Sequence, residues 1–184
     1  MVQVVEFAAR SHDLGKADPR FQAWLKGGNP WARGELIAKS EELPQGRRES
    51  EKARERANYP KGGRHELLSV RLLESVPNCL PADPDLRDLV LHLVESHHGY
   101  CRPFAPVVFD DNPVHVTKDF LGHCLGHSTS TGLERLDSGV ADRFWRLTRS
   151  YGVWGLTWLE AILRLADHRR SEAEQRDDLD EGDV

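Results

Sequence analysis

A His-Asp pair at positions 12 and 13 runs into Leu14-Gly15-Lys16, and far downstream stand a second adjacent pair, His97-His98, and Asp167. Imidazoles suit transition metals and carboxylates suit harder cations, so a mixed set points to a hydrolytic metal centre more readily than to a structural zinc. Two ions about 3.5–4 Å apart can hold both the attacking and the leaving oxygen of a phosphodiester displacement, and they need a carboxylate that reaches both. Asp13 is the natural bridge. With His12, His65, His97, His98 and Asp167 it makes six ligands from four places in the sequence.

Each residue also has a plainer reading. Asp167 lies among Leu163, Leu165 and Ala166 and is costly to bury without compensation, which a metal or an ion pair to Arg164, Arg169 or Arg170 would supply. Lys16 either offsets the charge of a scissile phosphate or simply caps the turn after Gly15. Glu66 either orients the His65 imidazole or favours a helix start through the dipole. His92, His115, His123 and His127 read as packed or surface histidines. Cys79, Cys101 and Cys124 are odd in number and share no paired spacing, so they read as reduced thiols.

Helices must carry these groups. Val2 to Arg10 has an apolar rhythm and no breaker, and it delivers His12-Asp13 at a helix end. After Gly15 the rhythm resumes over Ala17 to Leu25. Arg64 to Val76 predicts a helix with His65 and Glu66 in its first turn. Another runs from Pro84 to His98, with Gly99 as its stop. Neighbouring residues on a straight helix point about 100° apart, so each adjacent pair can converge on one centre only where the helix is ending. Residues 28–63 read as a long loop, basic from Arg47 to Arg64, with Tyr59 or Trp31 available to stack on bases if that face is not merely solvated. Residues 103–131 suggest a small hairpin or lid, from Pro113 to Phe120 and Gly122 to Ser128. Two helices, Ser138 to Tyr151 and Gly155 to Glu174, close the domain.

The chain has 184 residues, 39% apolar and 30% charged, enough for one domain with a real core. No apolar run approaches the roughly 20 residues of a membrane helix, and the first ten residues lack the features of a signal peptide, so the expected compartment is the cytoplasm. The net charge of −5 resides in the end of the chain: residues 172–184 hold seven acids and one Arg, leaving the body near neutral. That end is expected to be a disordered acidic tail, and the global sign does not exclude a nucleic-acid partner.

The ordered motifs resemble the HD superfamily of metal-dependent phosphohydrolases. The strings His12-Asp-Leu-Gly-Lys16, Arg64-His-Glu-Leu-Leu-Ser69, Ser96-His-His-Gly99 and Leu165-Ala-Asp-His-Arg-Arg-Ser171 are similar to the HD nuclease domain of the type I CRISPR-associated helicase-nuclease. The resemblance covers the chain over residues 1–171. It implies a mostly α helical bundle with a small β-hairpin insertion, and an endonuclease for single-stranded DNA in antiviral defence. One or two divalent ions (Mn, Ni, Co, Fe or Mg) are implied at His12, Asp13, His65, His97, His98 and Asp167, with Lys16 beside the scissile phosphate. Implied partners are a helicase, in the same or a separate chain, and an RNA-guided surveillance complex, with no membrane.

Ala17-Asp-Pro-Arg-Phe-Gln-Ala-Trp24 and Gly132-Leu-Glu-Arg-Leu-Asp-Ser138 look like the variety whose HD domain follows the helicase, which would make this chain an excised domain. One departure concerns the metal. The family pattern has a further histidine upstream of the HD pair, and residues 1–11 contain none. If one position is incomplete, the ion nearest His65, His97 and His98 is expected to bind more reliably than the one nearest His12 and Asp167. Two other functions fit the residues: an HD phosphohydrolase of small nucleotides, favoured by a closed pocket, and a non-catalytic, metal-stabilised docking module. An open groove lined by Arg20, Arg102 and the basic loop would favour a strand.

Overall fold

The computed structural model describes residues 1–29, 31, 36–37 and 46–181, with side chains to residue 173. Among them are six α-helices and one hairpin, a mostly α fold as the motifs imply. The helices are α1 (Val2–Ser11), α2 (Pro19–Leu25), α3 (Arg47–Arg56), α4 (His65–Glu74), α5 (Pro84–Ser96) and α6 (Val140–Glu181). A short 3-10 helix, Leu14–Ala17, links α1 to α2.

The centre is α5. Every residue from Leu89 to Ser96 is buried, and α1, α4 and α6 all pack on it. Its start is well specified: Pro84 occupies the first turn, and the Asp83 carboxylate accepts from the backbone N–H of Asp85 at 2.9 Å and Leu86 at 3.1 Å. Leu72 and Leu73 of α4, Leu89 and Leu93 of α5, and Leu147 and Leu163 of α6 fill the core. A satellite cluster joins Phe21 and Leu25 to Ala57 and Tyr59.

The hairpin falls where the alternation predicts it. Strands β1 (His115–Phe120) and β2 (His123–Ser128) pair antiparallel, with His115 opposite Ser128 and Phe120 opposite His123. Leu121 and Gly122, at φ 50° and 79°, form the two-residue turn whose twist matches the strands. Val116 and Leu125 pin the hairpin to the core.

One expectation changes. The stretch 28–63 is not all loop, because Arg47–Arg56 is helical; its sequence is rich in helix formers, with Glu49 in the first turn and Arg54 and Arg56 in the last. Only Ala53 of that helix is buried, so no apolar stripe announces it. The remainder of that stretch at residues 30, 32–35 and 38–45 lies outside the described residues. The backbone of α6 stays helical up to Glu181. The two closing helices do form, joined at Gly152, whose φ of 69° and ψ of 162° break α6 in a conformation open essentially to glycine.

Candidate metal centre

His12 sits at the C-terminal end of α1 and His97 at that of α5, where each chain is leaving its helix. Gly99, at φ 88°, completes the exit from α5 and lets His98 turn toward the same place. The His97 and His98 rings then lie 4.1 Å apart, and His65 on α4 stands 5.1 Å from His98 and 5.5 Å from His97. His12 approaches His97 from the other side at 4.8 Å.

The N-terminus of α4 is held hard against the HD turn. The Gly15 N–H donates to Ser69 Oγ at 2.8 Å, and that hydroxyl donates to the His12 carbonyl at 2.7 Å. A Cβ on Gly15 would run into the His65 carbonyl, so glycine here permits close approach of two backbones as well as breaking a helix. Ser69 and Gly15 are the positioning residues that sequence reasoning missed. Their signal was only their place inside the HD and His65 strings.

Ring tautomers show what the histidines offer. His12 Nδ1 lies 2.7 Å from the Ala9 carbonyl, and His97 Nδ1 2.7 Å from the Val94 carbonyl. A carbonyl only accepts, so each Nδ1 donates to it and each Nε2 is left facing inward. His12 Nε2 therefore faces two carboxylate oxygens, Asp167 Oδ1 at 3.3 Å and Asp13 Oδ2 at 3.4 Å. His97 Nε2 is buried without a hydrogen-bond partner. Such an orphaned group is costly in a native fold, and a metal ion would satisfy it.

Two trios have ligand atoms within 4.8 Å of one another: His65, His97 and His98, and His12, Asp13 and His97. Asp13 also stands 3.1 Å from His65 Nε2 through its other oxygen, so its two oxygens face the two trios. Burial alone would raise the Asp13 carboxyl; the contact with His65 and the charges of His12 and Lys16 overcome this and hold it well below the usual carboxylate range. Lys16 Nζ is 2.7 Å from Asp13 Oδ2. Burial, reinforced by neighbouring rings, lowers His97 to about 2, and burial with His65 lowers His98 to about 4, so both are neutral at physiological pH. N and O donors in this set fit a divalent ion.

Other candidates separate from the cluster. Asp167 is half-exposed, not sunk in apolar surroundings, and its partner is His12 instead of a neighbouring Arg. Glu66 is buried but 3.8 Å from His65 Nδ1, beyond a hydrogen bond. Arg20 is buried, with its guanidinium committed to Asp18 and Asp110. Arg102 is committed to Glu160 at 2.6 Å. Tyr59 is buried, stacked on Trp24 at 5.6 Å and unavailable to a base, whereas Trp31 is exposed. His92 is fully buried and bonds Glu160 at 2.7 Å, a packed residue as expected. All three cysteines are free thiols, and burial pushes the Cys101 thiol up.

A family described as Cas3, HD domain, matches residues 1–179. The chain belongs to that family. A Cas3 HD domain is a metal-dependent nuclease domain of CRISPR systems, which agrees with His and Asp clusters able to hold a divalent ion. No curated protein and no solved structure matches the chain. Among the described residues of this Cas3 HD domain, no helix is long and apolar enough to cross a membrane.

Proposed function

We propose that this domain is an endonuclease that hydrolyses phosphodiester bonds of single-stranded DNA at a centre for two divalent ions. The observation that carries the reading is Asp13, whose two oxygens face His65 on one side and His12 on the other. His65, His97 and His98 would hold one ion; His12, Asp13 and Asp167 would hold the other, because the single Nε2 lone pair of His97 serves one ion only. Bound ions supply an activated water at neutral pH and stabilise charge on the phosphate. Asp13 bridges. Lys16 keeps that carboxylate ionised and oriented, and stands beside it where the scissile phosphate arrives. The all-imidazole trio is the more complete set and fills first. Candidate metals are Mn, Ni, Co, Fe and Mg.

Delivery of the strand belongs to a CRISPR-associated helicase recruited by an RNA-guided surveillance complex in the cytoplasm. The surface that we assign to the helicase is the outer side of α6. Trp154, Trp158 and Leu165 are 86%, 67% and 59% exposed, one or two turns apart, while Leu156, Leu159 and Leu163 on the opposite side enter the core. An apolar stripe of this kind on a soluble helix marks an interface.

The test is cleavage of labelled circular single-stranded DNA by metal-stripped protein resupplied with each ion, beside Asp13→Ala. Metal-dependent cutting that Asp13→Ala reduces at least about a thousandfold supports the reading. Folded protein that cuts with none of the ions refutes it and favours a nucleotide substrate or a docking module.

A further inference from the structure

Asp13 is one of the residues that line a cavity of about 220 Å³. Three cations meet there from three elements: Arg10 from the last turn of α1, Lys16 from the 3-10 helix and Lys118 from β1. Lys16 is paired with Asp13. Arg10 and Lys118 have no carboxylate partner among the described residues, although ion pairs abound elsewhere in the domain. Two unneutralised cations facing one cavity next to a phosphodiesterase centre create a field for a second anion.

The opposite wall is apolar and held in place. Leu14 and Ile37 line it, and Gln22, itself buried, fixes Ile37 from both sides: Gln22 Nε2 donates to the Ile37 carbonyl at 3.0 Å, and Gln22 Oε1 accepts the Ile37 N–H at 2.9 Å. The same Nε2 donates to the Lys16 carbonyl at 2.8 Å, so one amide ties the apolar wall to the turn that carries the catalytic Lys. The hairpin contributes because β1 packs on that 3-10 helix. The volume is below the roughly 300–1,000 Å³ of pockets that enclose a whole drug-sized ligand, which suits one unit of a strand whose remainder lies outside.

Resting on the nuclease reading, we propose that this cavity is the subsite for the nucleotide adjoining the scissile bond: Arg10 and Lys118 bind its phosphate, and Leu14 and Ile37 receive its sugar and base. Contacts to the backbone make the subsite indifferent to sequence, and they give the hairpin a role in holding substrate. Arg10 is exposed and Lys118 half-buried, so neither is needed for folding.

The experiment compares the unsubstituted chain with Arg10→Ala/Lys118→Ala and with the charge-conserving Arg10→Lys/Lys118→Arg, using fluorescein-labelled oligothymidylate and manganese. The Ala pair raises KM about tenfold with the loss falling on KM more than on kcat. It also flattens the slope of log affinity against log salt by about 1.4, two phosphate contacts at about 0.7 each on a single strand. The charge-conserving pair retains the slope. An unchanged KM and slope in a chain that cuts overturns the subsite and leaves the nuclease reading intact. If the folded, unsubstituted chain cuts no strand with any metal, the nuclease reading itself fails and takes the subsite with it.

Discussion

His97 presents one free nitrogen, Nε2, so it can serve one ion only. His97→Ala and His98→Ala are each expected to lose the ion of the imidazole trio and to spare the one at His12, Asp13 and Asp167. Elemental analysis after dialysis against manganese checks this; loss of all metal in either variant contradicts two separate positions. His92, in contrast, acts on stability. Burial alone would lower it, but Glu160 at 2.7 Å and Glu95 at 3.6 Å outweigh burial and raise it above 6.5. A histidine raised in the fold contributes stability that is fully present below its unfolded value, near 6.5, and is lost as pH climbs through the folded value. The Tm difference between the unsubstituted chain and His92→Gln should therefore be widest below pH 6.5 and shrink as pH rises. A difference that grows with pH would mean that His92 is neutral in the fold.

The element that matters most to the centre is the junction between the HD turn and the first turn of α4. Its precision comes from backbone contact: Gly15 against the His65 carbonyl, and one Ser69 hydroxyl tied to both segments. Gly15→Ala forces a methyl into that backbone and is expected to cost about 2 kcal/mol, a fall in Tm of about 4–8 °C at this size. Because His65 moves with α4, metal affinity should fall as well. Thermal unfolding with and without manganese reads both effects; an unchanged Tm would show that the two segments separate easily. The helix α3 teaches a complementary lesson. Its residues are good helix formers, yet only Ala53 is buried, so propensity is its sequence signal and periodicity is silent.

At the scale of the molecule, α5 and α6 are joined by a buried ionic layer as well as by leucines. Arg143 reaches Glu95 at 2.6 Å and Glu74 at 3.0 Å, tying α6 to α5 and α4. That layer faces inward, and the tryptophans of α6 face out. Trp154→Ser/Trp158→Ser is expected to change stability by no more than about 0.5 kcal/mol, as surface substitutions do, while weakening association with the helicase at least about thirtyfold. Calorimetric titration of the helicase into each protein decides the matter. A large loss of Tm would instead make the stripe part of the fold.

The members of the cluster were legible in the chain because they are set by residue type and motif order. His12-Asp13, His65, His97-His98 and Asp167 could be named, as could the helices carrying them, since their apolar spacing repeats every turn and Gly99 and Pro84 mark the ends. The hairpin was legible for the same local reason. Long-range geometry was not. The cation-lined cavity beside Asp13 joins Arg10 to Lys118, 108 positions apart; the burial of Arg20 depends on Asp110, and that of His92 on Glu160. A sequence states which charges exist, but whether a charge faces solvent, a partner or a substrate depends on which surfaces the packed helices bring together, and those contacts form only in the folded chain.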